Sequence, residues 1–281
     1  MRGHCGAASE LGVAILVACA PVCAGAQLPL TPVSASGRSV TPVFEGWYGN
    51  PDGTYSISFG YFNRNSEEVL EIPVGADNAI EPGGPNQGQP ARFHPRRHWG
   101  VFAVKVPADF GERKLTWTLK VRGETFAISG SLNRDWQIDA LEGEAGSDNT
   151  PPAVRFDTLG AEGRGPLGIT VGPSAAAVGV PLVVRVWVTD DGKSAAIATS
   201  GARAGVPVTL TWFKHQGPGN VTFAPPTSRL TPTGGTATTA VTFSTPGDYV
   251  LRVRANDSAV AGAGHAQCCW TNGFVKVTVS R

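Results

Sequence analysis

Charge is scarce in this chain, and so are helical periodicity, long apolar runs and recognisable catalytic signatures. Charged residues make up 16% of the sequence and the formal net charge is +1. Neither value gives the electrostatic footprint of a nucleic-acid or membrane-surface binder. The apolar run Leu11–Ala18 is the one stretch that suggests a membrane, and it is far shorter than the roughly 20 residues a spanning helix needs. Beyond it no segment sustains apolar residues at i, i+3, i+4 and i+7, which argues against helical architectures. None of the patterns G-x-S-x-G, H-E-x-x-H, C-x-x-C or G-x-x-x-x-G-K-[ST] occurs, so no local motif supports catalysis. The chain reads as a non-enzyme with no cofactor and no resident metal.

Glycine (36 residues) and proline (22) are abundant, which together with many β-branched residues points to an all-β protein rich in turns. Residues 1–26 read as a signal peptide. Arg2 supplies the positive end, Leu11–Ala18 the apolar stretch, and Ala24-Gly-Ala26 a small-x-small cleavage site before Gln27. The implied destination is secreted or periplasmic. Leu16-Val-Ala-Cys19 also fits a lipobox, which gives the alternative of an envelope lipoprotein anchored at Cys19. Cleavage after Ala26 leaves Cys268 and Cys269, adjacent in sequence, in an oxidising compartment. Neighbouring Cα atoms lie about 3.8 Å apart, below the usual disulfide range of roughly 4.4–6.8 Å. A strained vicinal disulfide and a buried thiol pair beside Trp270 both remain open. Metal binding has only His265 nearby to support it.

Residues 27–42 are Pro-, Ser- and Thr-rich and read as a flexible lead-in. Residues 43–141 carry about seven strand signals at sandwich spacing. Tyr55, Ile57, Phe59 and Tyr61 alternate with small residues after the turn Asn50-Pro-Asp-Gly53. Val69–Val74 reads as a strand, Phe102, Val104 and Val106 share a face, and Leu115, Trp117, Leu119 and Val121 share another. Ala76–Pro90, rich in Gly, Pro, Asn and Gln, reads as a long loop. Residues 142–152 are acidic and small and carry two prolines, which reads as a linker. In residues 153–281 the clearest signal is a hairpin. Ala237, Thr239, Val241 and Phe243 point inward, Pro246-Gly-Asp248 turns the chain, and Tyr249, Leu251, Val253 and Ala255 resume the inner face. Arg252 and Arg254 fall on the other face and are expected outside. Tyr249 sits where a tyrosine corner is expected, with its ring buried and its hydroxyl on nearby backbone.

Trp212…Gly217-Pro-Gly219…Thr222-Phe223, then Pro246-Gly-x-Tyr249-x-Leu-x-Val-x-Ala-x-Asp257, resemble a PKD-type immunoglobulin-like module of exported bacterial proteins. The resemblance covers roughly Leu182 to Val279 and departs at the 194–205 loop and at Cys268-Cys269-Trp270. It implies a sandwich of about one hundred residues used as a spacer or binding unit. The first domain resembles a recurrent N-terminal segment of secreted bacterial proteins. The expected architecture is two β-sandwich domains, Ig-like or PKD-like, after a signal peptide.

Candidate sites are few. The densest polar cluster is Arg92, His94, Arg96, Arg97, His98 and Trp99. His94 and His98 have metal-ligand spacing, and a carboxylate such as Asp109 could join them. Pro95 lies between them, however, and the arginines favour an anion or sugar contact instead. Trp270, beside the cysteines, is expected exposed or half exposed as part of a recognition loop. Asp190-Asp191-Gly192 and Asn256-Asp257 could donate oxygens to calcium, although both are ordinary turn formers. Trp47, Tyr48, Tyr61 and Phe62 could stack on sugar. Gly163-Arg-Gly-Pro-Leu-Gly168 matches a dinucleotide fingerprint in letters only, because Pro166 and the following β-rich residues deny it a helix. The function expected is an exported non-catalytic binding or structural protein with an envelope or extracellular protein or glycan as partner. The alternative is an accessory to a carbohydrate-active or metal-dependent hydrolase, acting through the His94/His98 loop.

Overall fold

A computed structural model describes residues 34–139, 141–144, 148–193, 206–257 and 269–281. The leader with Cys19, the start of the lead-in, the 194–205 loop and Cys268 lie outside the described residues. The described chain is all-β, and none of its helices is long and apolar enough to cross a membrane.

The first region contains β1 (Val40–Gly49), β2 (Tyr55–Asn63), β3 (Leu70–Glu71), β4 (Asn78–Glu81), β5 (Arg92–Phe93), β6 (Arg96–Val106), β7 (Leu115–Val121) and β8 (Glu124–Gly130). Two three-stranded sheets, β1-β2-β6 and β4-β7-β8, enclose one core, and β3 pairs with β5 beside them. The alternation in β2 and β7 works as the sequence suggests. Ile57, Phe59, Tyr61, Leu115, Trp117 and Leu119 are all buried. Phe59 stacks on Phe102 at 5.6 Å and Phe102 meets Trp117 edge-on at 5.1 Å, separations at which aromatic pairs attract.

Two local expectations change here. The supposed loop 76–90 contains β4, which pairs with Thr116–Leu119 of β7. Its anchor is Asn78, fully buried, which accepts from Trp117 Nε1 at 2.9 Å and donates to the carbonyls of Ile72 and Pro90. One buried amide thus satisfies loop and core together, and no hydrophobic period announces it. The expected strand at Val69–Val74 shrinks to the two residues of β3.

The second region contains β9 (Ala153–Arg155), β10 (Ile169–Ala177), β11 (Leu182–Thr189), β12 (Thr209–Gln216), β13 (Val221–Ala224), β14 (Thr227–Arg229), β15 (Gly234–Phe243), β16 (Gly247–Asn256) and β17 (Trp270–Ser280). They form the sheets β13-β15-β11-β9 and β10-β17-β16-β12-β14. The opening segment divides between the two, with β9 on β11 and β10 running parallel to β17. This exchange of strands between packed sheets is immunoglobulin-like. Tyr249 is buried, and its hydroxyl donates to Thr245 O at 2.7 Å, as a tyrosine corner requires. The Gly163–Gly168 stretch is a turn that leads into β10.

Each region has its own hydrophobic core, one built on Phe59, Phe102 and Trp117 and the other on Leu210, Leu251 and Val253. Phe274 and Val250 of the second region nevertheless pack on the first core, and residues 33–281 make one compact unit. The described part of the 142–152 segment is tied down. Asn149 is buried, Thr150 N donates to Asp191 at 3.2 Å, and Arg164 donates to Pro151 O at 2.8 Å. The lead-in is held as well from Ser34 onward, where Ser34 and Ala35 carbonyls accept from Ser66 and Glu67.

Candidate functional site

In β12, β16 and β17, alternate side chains point away from the second core. On that outward face stand Phe213 and His215, then Arg252 and Arg254, then Trp270, Asn272 and Phe274. Water does not cover this face, because Tyr61, His94, His98, Gly100, Val101 and the 86–91 segment of the first sandwich lie across it. Arg252 and Arg254, expected outside, are therefore buried and partly buried.

Phe213 is the hub. His94 and His98 meet its ring edge-on at 5.3 and 6.2 Å, and the Arg252 guanidinium sits 4.5 Å from its centroid. His98 also stacks on Tyr61 at 4.9 Å, and the Tyr61 hydroxyl accepts from His94 N at 2.9 Å. His215 donates from Nε2 to Gly88 O at 2.8 Å and packs against Phe274 at 5.2 Å. Backbone joins backbone where Ala91 N donates to His215 O at 2.8 Å. On the far side Asn272 Nδ2 donates to Gly100 O at 2.7 Å and Pro166 O at 2.9 Å. Leu167 N donates to Tyr48 Oη at 2.8 Å. Gly100 adopts φ +46°, and a Cβ there would lie 2.6 Å from Cζ2 of Trp270. Only a hydrogen fits that gap.

Burial and then the Arg92 and Arg252 charges hold His94 near pKa 4, and burial and then Arg252 hold His98 and His215 near 3. All three are neutral in neutral solution. Burial lowers Arg252 to about 9 and raises Tyr61 to about 12, so both keep their usual charge state near neutrality. Nε2 of His94, Nδ1 of His98 and Nε of Arg252 are buried without a hydrogen-bond partner. Neutral imidazoles can in principle bind metal, but a buried guanidinium beside them opposes a cation. Asp109, the carboxylate suggested as their companion, is instead exposed and paired with Arg113. Among the described residues no group of three or more His, Cys, Asp or Glu is arranged to hold a metal.

The proposed binding residues thus separate into three fates. His94 and His98 join the junction. Arg92 pairs with Glu71 at its rim, and Arg97 pairs with Glu45 at 2.8 Å while its guanidinium lies 5.0 Å from the Trp99 ring. Of these only Arg96 is exposed, 5.4 Å from the Phe62 ring, with Arg97 and Trp99 half-buried next to it. Trp270, expected at the surface, is completely buried, because the first sandwich covers the face it occupies. Trp47, Tyr48 and Tyr61 are buried too, which leaves Phe62 alone of the suggested sugar platform. Cys269 is disulfide-bonded and fully buried.

Phe213, His215, Arg252 and Asn272 were missed by reasoning from sequence. A signal for them was present. Trp212-Phe213 and Phe274-Val275 place bulky apolar groups on both faces of a strand, the mark of a strand covered on both sides. Elsewhere, the fold brings together Asp190 and the fully buried Asp257, with Asn149 beside them. Burial and the facing carboxyl raise Asp257 to about 8, and burial raises Asp190 to about 6. A cavity of about 530 Å³ opens between β10 and β11, lined by Phe156, Ile169, Val171, Leu182, Val184 and Arg185. It lies apart from the His cluster.

No protein-family model and no curated protein sequence matches the chain. Solved structures that resemble it include the D00-D0 domain of intimin, at 10% identity over 85% of this chain and 100% of that one with a TM-score of 0.27. Domains 4 and 5 of the S-layer protein SbsC match at 10% identity over 74% of this chain and 78% of that one, TM-score 0.26. A PapD-like domain of human CEP192 matches at 8% identity over 47% and 87%, TM-score 0.28. Likeness this slight carries no argument about what the chain does, and the fold class stands on the sheets described above.

Proposed function

We propose that the chain is an exported, non-catalytic binding or structural protein of the bacterial envelope or extracellular space, built as two sandwiches joined into one unit. The observation that carries this reading is the fate of the polar cluster. Its imidazoles, His94 and His98, which would serve chemistry in a cleft, are instead packed with Arg252 around Phe213 between the sandwiches. On this reading the second sandwich is a PKD-type module, and the leader directs export or, through Cys19, lipidation. The surface left for a partner is Arg96 above Phe62, flanked by Arg97 on Trp99. The planar Arg96 cation over an aromatic ring suits a carboxylate on an extracellular glycan or protein. The test is mass spectrometry of the mature protein with a glycan-array measurement. The reading expects an N-terminus at Gln27 or an acylated Cys19, and array binding that Arg96→Ala abolishes. An intact Met1 in an envelope fraction would remove the export claim.

The acidic group favours a second reading, compatible with the first. Asp190, Asp257 and Asn149 are three oxygen donors placed together by the fold, as calcium prefers. Without a cation, Asp257 holds a proton in the fold that it releases at low pH when unfolded, so stability falls as pH rises from about 4 to 8. Calcium would reverse that loss at pH 8. A melting temperature at pH 8 that does not respond to calcium or to chelator would exclude the reading.

A further inference from the structure

The junction between the sandwiches concentrates groups that become cationic in acid. From the β5–β6 connection comes His94, from β6 His98, from β12 His215, and from β16 Arg252 and Arg254. Tyr61 of β2 and Arg92 of β5 face them, and β17 presents only the neutral Trp270, Asn272 and Phe274. Lys214 turns its ammonium to Glu71 and Gly219 O, and the nearby acids, buried Glu45 and exposed Glu71, already hold Arg97, Arg92 and Lys214. No carboxylate is among the influences on any of the three imidazoles. Each sandwich keeps most of its core behind this face, with Phe274 and Val250 the second region's contribution to the first core.

We infer that the junction is an acid-opened joint, in which protonation of His94, His98 and His215 against Arg252 parts the sandwiches while their sheets persist. In the closed form the imidazoles stay neutral down to about pH 4 for His94 and about 3 for His98 and His215. Once exposed to water a histidine titrates near 6.5. Between these values the open form binds more protons. Closure is therefore fully favoured above about pH 6.5 and weakens steadily as pH falls. From pH 7 to pH 5 each imidazole shifts the balance toward the open form by roughly 25-fold, and the three together by on the order of ten-thousandfold. Arg252 keeps its charge over that range and so disfavours protonation of the imidazoles in the closed form.

The experiment is small-angle scattering of the mature chain from pH 8 to pH 4, with far-UV circular dichroism on the same samples. The expected result is a rise in radius of gyration while the β signal is constant. His215→Gln keeps a donor for Gly88 O but loses the titration, so it should move the midpoint to lower pH. Expansion that coincides with loss of the β signal, no expansion down to pH 4, or a His215→Gln midpoint equal to wild type would each overturn the proposal. Should that variant fail to fold, imidazole C2-proton titration of the wild-type chain decides. Three resonances that remain neutral below pH 5 until the chain expands support the joint, and titration of these resonances near 6.5 in the compact chain overturns it.

Discussion

The two faces of β16 are both buried, and by different physics. Inside, Tyr249, Leu251, Val253 and Ala255 exclude water among other apolar groups, a gain of roughly 25 cal/mol for each Å² of apolar surface. Outside, Arg252 is just as inaccessible, but it must recover its lost hydration from an aromatic face and weak bonds to Val101 O and Asn272. The inner face holds a domain together. The outer face holds two domains in one orientation through matched polar contacts, and a change in charge or fit undoes it first.

Substitutions that treat the two faces differently can break or sharpen this contrast. Leu251→Ala on the inner face leaves a cavity in the second core and should cost about 2–5 kcal/mol, seen as a lower urea midpoint. A loss under 1 kcal/mol would mean that the core is not close-packed there. Gly100→Ala strikes the outer face by forcing a methyl group into the Trp270 ring, and overpacking of this kind costs about 1–3 kcal/mol. Its signature should be wider scattering dimensions with the β signal intact; a loss of sheet content would put Trp270 in the second core instead. Tyr249→Phe removes the bond to Thr245 O alone and should cost about 1 kcal/mol, measured by the same denaturation. Arg96→Ala should fall within about 0.5 kcal/mol of wild type, as exposed changes usually do. A larger loss in melting studies would assign Arg96 to the fold and weaken its candidacy as a contact for a partner.

How far the sequence could be read follows the same division. Strict alternation identified the inner residues of β2, β7, β11, β15 and β16, because a sheet face that meets a core needs apolar groups every second position. Arg252 and Arg254 obeyed that alternation and still lay under another domain. A polar side chain on the outer face reads identically whether water or protein covers it. Trp270 was wrongly expected at the surface for a related reason: its partner is a bare glycine 170 residues away in the chain, and neither residue hints at the other. Asn78 made β4 invisible, since a single amide that satisfies Trp117, Ile72 and Pro90 has no periodic trace.

What the sequence determined by itself was the class of structure: strands with alternating faces, glycine and proline at the turns, a buried tyrosine corner, and too little charge or helical period for anything else. These depend on interactions between residues near in sequence, or on a period that every strand repeats. Tertiary structure alone decided that His94, His98, His215 and Arg252 share one junction, that Asp190 meets Asp257, and that Arg96 is the exposed cation of its cluster. Each of those outcomes depends on which distant surface covers a face, and a face records the period of its own strand but not the identity of its neighbour.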